Sequence, residues 1–137
     1  MTTGTLGTNA RQDPRQVSNT LKKTVNWNSV GSAVANPFDN YLPQGAFIIR
    51  VLVEVVVAFD GTTPSLLVGT NATTYNNIVA AADVNEAATG VYDVTRALGR
   101  SLASAADVLP VALFTVGGSP TVGQAVILIE YEGGWVT

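Results

Sequence analysis

Cysteine and histidine are both absent from this chain of 137 residues, and charge is scarce. There are 7 basic and 10 acidic side chains, so 12% of residues are charged, against roughly a quarter in an average soluble domain. Each absence excludes something. Without histidine or cysteine, no Ser-His-Asp or Cys-His nucleophile system can be assembled. Zinc, haem and iron–sulfur sites of the usual nitrogen and sulfur ligands are excluded with them. No disulfide can staple the fold, so stability has to come from a core or from neighbouring molecules. The longest apolar run, 46–59, is interrupted by Arg50 and Glu54. It falls short of the roughly 20 residues that span a bilayer, and residues 1–10 lack a basic region followed by an apolar one. The expected setting is therefore a cytoplasm, or a particle assembled there, without a membrane partner.

What is present is a hydrophobic share of 47% at a length suited to one domain. With so little charge, much of the surface must be Thr, Asn, Ser, Gly and Ala. Such a surface keeps monomers apart poorly, which points to life in an assembly. The charge is also unevenly placed. Up to Val30, Arg11, Arg15, Lys22 and Lys23 face a single acid, Asp13; beyond it, three arginines are outnumbered by nine carboxylates. A basic segment thus precedes an acidic body. Residues 1–24 are polar and lack apolar periodicity, and are expected to form an extended N-terminal arm. That arm either docks on an acidic partner or is solvated. Four basic residues without interleaved aromatics make a poor phosphate-binding footprint, so nucleic acid is not an expected partner.

From Thr24 onwards the pattern is β. Val25, Trp27 and Ser29 alternate with Asn26, Asn28 and Val30, which puts Trp27 in the core. The strongest signal is residues 46–60, where Phe47, Ile49, Val51, Val53, Val55, Val57 and Phe59 occupy every odd position. That is a core-facing strand surface. The even positions carry Ile48, Leu52 and Val56 beside Arg50 and Glu54. A face open to water should not hold such residues, so the arm, a loop or another subunit is expected to cover it. Asp60-Gly61-Thr62-Thr63-Pro64 supplies turn chemistry, and residues 65–70 are expected to return as the second strand of a hairpin. Further strands are expected at 73–79, 91–94 and 108–116, a strand and loop at 96–106, and a helical turn within 80–89. Residues 124–132 alternate again, with Ala125, Ile127, Ile129 and Tyr131 inward and Val126 and Leu128 on the nominally outer face. Seven or eight short strands without long helices predict an all-β fold: a jelly-roll-like antiparallel β-sandwich over residues 25–137.

Motifs that would carry chemistry are lacking. Asp60, Asp83, Asp93 and Asp107 stand mostly beside turns, where Asp caps local backbone. No pair of them is selected as the acid and base of a glycosidase, and no calcium-loop pattern occurs. Gly117-Gly118 and Gly133-Gly134 are turn glycines outside any phosphate-loop frame. Asn71-Ala72-Thr73 matches a glycosylation sequon only by composition. Trp135, after Gly133-Gly134, is either an anchor for a neighbour or a lid on its own sandwich. The residues thus call for no enzyme activity, no metal and no cofactor.

One ordered series remains. A long apolar strand runs into Ala58-Phe59-Asp60-Gly61, then Leu67-Val68-Gly69-Thr70, Ala82-Asp83-Val84 and Gly90-Val91-Tyr92. Asp107-Val108-Leu109-Pro110-Val111 and a closing 123–131 strand follow. This series resembles the jelly-roll cement, or decoration, proteins of tailed-bacteriophage heads, of the Bordetella-phage type, over roughly residues 46–132. The resemblance implies a homodimer or homotrimer on the outside of a shell of HK97-like major capsid protein, a virion location, and a role in cementing that lattice. Candidate contacts with capsid or sister subunits are then Arg11, Arg15, Lys22 and Lys23 in the arm and Ile48, Arg50, Leu52, Glu54 and Val56 on the central strand. Val126, Leu128 and Trp135 complete the set. The alternatives are a fibre-type or lectin-like receptor- or carbohydrate-binding module, and a neck or tail component, since jelly rolls host several roles.

Overall fold

A computed structural model describes residues 19–28, 34–94 and 106–133, and these form a jelly-roll β-sandwich. Its strands are β1 (Asn19–Asn26), β2 (Val34–Pro37), β3 (Phe47–Val57), β4 (Thr62–Gly69), β5 (Gly90–Asp93), β6 (Val111–Gly117) and β7 (Gln124–Glu132). A 3-10 turn, Ala81–Asp83, lies between β4 and β5. Odd-numbered strands build one sheet in the order β1-β7-β3-β5, and even-numbered strands build the other in the order β2-β6-β4. Every pairing is antiparallel.

The chain therefore changes sheet at each successive strand. This corrects the hairpin expected from β3 and β4: each contributes to a different sheet, and the turn after Asp60 carries the chain across the sandwich. Two other segments depart from their sequence pattern. The segment 34–37, where Asn36-Pro37 is turn chemistry, is a short edge strand on β6. The strand expected at 73–79 shrinks to a bridge between Val79 and Val68, because residues 70–77 are taken up by a side-chain network. Asn71 Oδ1 accepts from the backbone N–H of Asn76 and Asn77, and Asn71 Nδ2 donates to Thr74 and Asn76. Side-chain bonds to nearby backbone compete directly with strand pairing. The segment 96–105 lies outside the described residues.

The core fills the space between the sheets. Val51, Val53 and Val55 of β3 and Ala125, Ile127 and Ile129 of β7 face Leu66 and Val68 of β4 and Ala112 and Phe114 of β6, all buried. Phe59 and Phe114 pack with ring centroids 4.6 Å apart. β7 alternates as its sequence predicts. β3 does not keep one phase along its length: its pairing with β7 slips between Ile48 and Arg50 and again between Val55 and Val57. A bulge adds one residue on one strand and flips everything beyond it. Ile48 therefore points inward and is fully buried, while Phe47, expected in the core, is 52% exposed. Val57 is likewise exposed. Trp27, also expected in the core, follows β1 in a turn and is 37% exposed.

Of the extended arm expected over residues 1–24, residues 1–18 lie outside the described residues, and residues 19–24 are instead part of β1 and pair with β7. Leu21 and Val25 are buried there. Lys23 shares their phase, opposite Ile127, and is half-buried. An inward-pointing charge on an edge strand discourages another strand from adding to that edge.

Candidate functional site

The outer face of the four-stranded sheet is the surface on which most of the candidate contact residues meet. Strand register lays them out in rows. Arg50 of β3 is opposite Glu130 of β7, which is opposite Thr20 of β1. In the next row, Lys22, Leu128, Leu52 and Asp93 run across β1, β7, β3 and β5. The row after that is Thr24, Val126, Glu54 and Val91. Same-face neighbours on adjacent strands stand ~4.5–5.5 Å apart, so Leu52, Leu128, Val126 and Val91 form one apolar patch. Lys22, Leu52, Glu54, Val91, Val126 and Leu128 line a shallow groove of 250 Å³. Leu52, Val126 and Leu128 are half-buried, and Val91 is 62% exposed.

The candidates divide as follows. Lys22, Arg50, Leu52, Glu54, Val126 and Leu128 share this face. Ile48 does not: it belongs to the core. Lys23 turns to the inner side of the edge. Val56 is exposed at the second bulge and does not line the groove. Arg11, Arg15 and Trp135 lie outside the described residues. Val91 and Asp93 complete the rows and were not among the candidates. β5 has only four residues, too few for alternation to mark its faces.

Four acids of the described residues, Asp60, Asp83, Glu86 and Asp107, accept hydrogen bonds from backbone N–H groups. Asp60 Oδ1 accepts from the backbone N–H of Thr121 at 2.8 Å and of Val122 at 3.0 Å, and Oδ2 accepts from the Thr121 hydroxyl at 2.7 Å. It ties the β3–β4 turn to the β6–β7 turn, and these bonds, the one from Val122 foremost, lower its pKa. Glu86 is buried, 5% exposed. Its Oε1 accepts from the Leu66 N–H at 2.7 Å, and its backbone carbonyl accepts from the Phe59 N–H at 2.9 Å. Burial raises its pKa despite that side-chain bond. The Tyr92 hydroxyl donates toward the carbonyls of Asn85 and Ala88, and so fixes the Glu86 loop on β5. Among the described residues, no group of three or more Asp and Glu could hold a metal ion.

A second depression, of 290 Å³, lies at one end of the sandwich. It is lined by Asn26, Trp27, Val57, Val122, Gly123 and Gln124, with Gln124 Nε2 donating to Asn26 Oδ1 at 3.1 Å.

No protein-family model matches the sequence, and neither does any curated protein. Two solved structures share the fold. One is a chain of the capsid asymmetric unit of cyanophage Pam1, with a TM-score of 0.59 and 17% identity over 83% of each chain. The other is a chain of the acid-stable capsid of Helicobacter pylori bacteriophage KHP30. It has a TM-score of 0.63 and 21% identity, over 88% of this chain and 91% of that one.

Proposed function

We propose that this chain is a structural protein of a phage head, which binds the outer surface of an HK97-like major capsid lattice and stabilises it. The observation that carries the reading is the shared fold with chains of two phage capsids, matched over most of both lengths. The outer sheet face supports it, because Leu52, Val126 and Leu128 lie where a freely diffusing sandwich would place polar side chains. The engagement of Asp60 and Glu86 in tying loops together supports a structural rather than a catalytic role. The mechanism is mass action: a protein that binds the assembled lattice and not its free subunits stabilises the lattice at every occupied site. Attachment at several points strengthens each contact. Arg11 and Arg15 belong to this reading as contacts with acidic capsid surface, and Trp135 as an anchor in a neighbour.

The test is particle integrity. Heads lacking this protein should release DNA at a lower temperature than complete heads, and re-addition should restore the difference; equal survival would overturn the proposal. Copy number separates a head protein, present in amounts comparable to the major capsid protein, from a neck or tail component present in a few copies.

One observation favours a carbohydrate-binding role instead: the half-exposed Trp27 beside the paired amides of Asn26 and Gln124. An aromatic face with convergent polar groups is a common ligand-site composition. A specific glycan-array signal abolished by Trp27→Ala would put this reading first.

A further inference from the structure

The rows of the outer face have a symmetry that a capsid partner would not require. Take an axis that runs along the strands and lies midway between β7 and β3, just above the sheet. Rotation by half a turn about it brings down a second copy face to face, with its β1 over this β5 and its β7 over this β3. The row Lys22, Leu128, Leu52, Asp93 is then matched end for end. Lys22 of each copy stands over Asp93 of the other, and Leu128 stands over Leu52. The row with Arg50 and Glu130 is matched as well: each arginine meets the other copy's glutamate. Glu54 faces Val126 in this arrangement and is one row from the incoming Lys22, within reach of a long flexible ammonium stem.

We propose that this face is a two-fold interface between two copies of the chain. A two-fold contact must be self-complementary, since the same patch serves both partners, and charges at opposite edges of an apolar centre meet that condition. Aligned face-to-face stacking is an ordinary way for sheets to pack. It would cover Leu52, Leu128, Val126 and Val91 from both copies. The contact is small. A four-stranded face of this extent buries roughly 1,000 Å² over both copies, near the lower limit for specific association, so the dimer should be visible at micromolar concentration. The inference rests on strand register alone and does not depend on the capsid reading.

Lys22 and Asp93 allow a decisive test, because they occupy the two edge strands of the sheet, about 14 Å apart within one copy. They cannot compensate for each other inside a monomer. Both are exposed, so substitution leaves the core untouched. The full chain should sediment as a dimer at tens of micromolar. Lys22→Asp alone and Asp93→Lys alone should each weaken dimerisation roughly tenfold or more, through like charges placed opposite one another. Mixing the two variants should restore association as a heterodimer, and the double variant should dimerise as the wild type does. Circular dichroism establishes that each variant is folded. A monomeric or trimeric wild type would overturn the proposal, as would single variants with unchanged affinity or a mixture that stays monomeric. A monomer whose Leu52 and Leu128 signals are shielded by residues 1–18 would assign the face to the chain's own N-terminal segment instead. None of these outcomes touches particle integrity, on which the capsid reading stands or falls separately.

Discussion

At the scale of single residues, two positions carry more than their composition suggests. Glu86 is a buried carboxyl whose pKa is raised above its ordinary value of 4.5 by burial. The native state therefore holds this proton more tightly than the unfolded chain does. Its contribution to stability is fully present below the ordinary value and is lost as pH rises through the raised one. Glu86→Gln keeps an oxygen to accept from the Leu66 N–H and removes the charge. The melting temperature of the variant relative to wild type should rise as pH increases above 4.5, as followed by calorimetry at several pH values; a constant difference would show that the carboxyl titrates alike in the folded and the unfolded chain. Asp60 works in the opposite sense, since its lowered pKa makes its contribution present at neutral pH and lost on acidification. Gly123 is the second position. It is buried with a φ of +146°, and a methyl group on it would overlap the Phe59 ring. Gly123→Ala should cost about 2–3 kcal/mol, combining overpacking with backbone strain, measurable by urea unfolding.

At the scale of elements, the start of β1 matters most. A truncation that removes residues 1–23 takes five residues from β1, including buried Leu21. It should lower stability by ~2 kcal/mol or more, as loss of a buried leucine does, whereas removal of residues 1–18 leaves the strand whole. Comparing the unfolding midpoints of the two truncations checks this. The sequence concealed that boundary because Lys23 interrupts the apolar phase set by Leu21 and Val25, an interruption that suits an edge strand. β7 was legible throughout, since Gln124, Glu130 and Glu132 mark one of its two phases as the outer one. β3 was legible as a strand but not in phase: a bulge depends on how a strand is paired, and both alternating sets of its sequence carry large apolar residues. Ile48 moved from the candidate surface to the core for that reason. The outer-face residues Leu52, Glu54, Val126 and Leu128 lie between the bulges of β3 or on β7, where alternation holds, and there the surface could be read from sequence. Val91 and Asp93 could not, because their face is set by pairing with β3 alone.

At the scale of the whole molecule, the partition of odd and even strands between two sheets has a consequence in time. No sheet contains two strands that follow one another directly in the chain. The side-chain bond between Asn26 and Gln124 joins positions 98 residues apart, and the central strand β3 has its longest ladder with β7, the last strand to be made. A chain emerging from the ribosome can therefore pair β3 only with the short β5, and leaves β1 without its partner in this sheet, until β7 is out. Non-local topologies of this kind fold in milliseconds to seconds, with hydrophobic strands exposed meanwhile. Nascent chains arrested before Gln124 should remain protease-sensitive, while chains extended past Glu132 by a linker long enough to clear the exit tunnel should become resistant. The valine-rich β3 would thus spend most of synthesis with no strand partner longer than the four-residue β5, so expression level and growth temperature, rather than the stability of the finished sandwich, would set the yield of soluble protein.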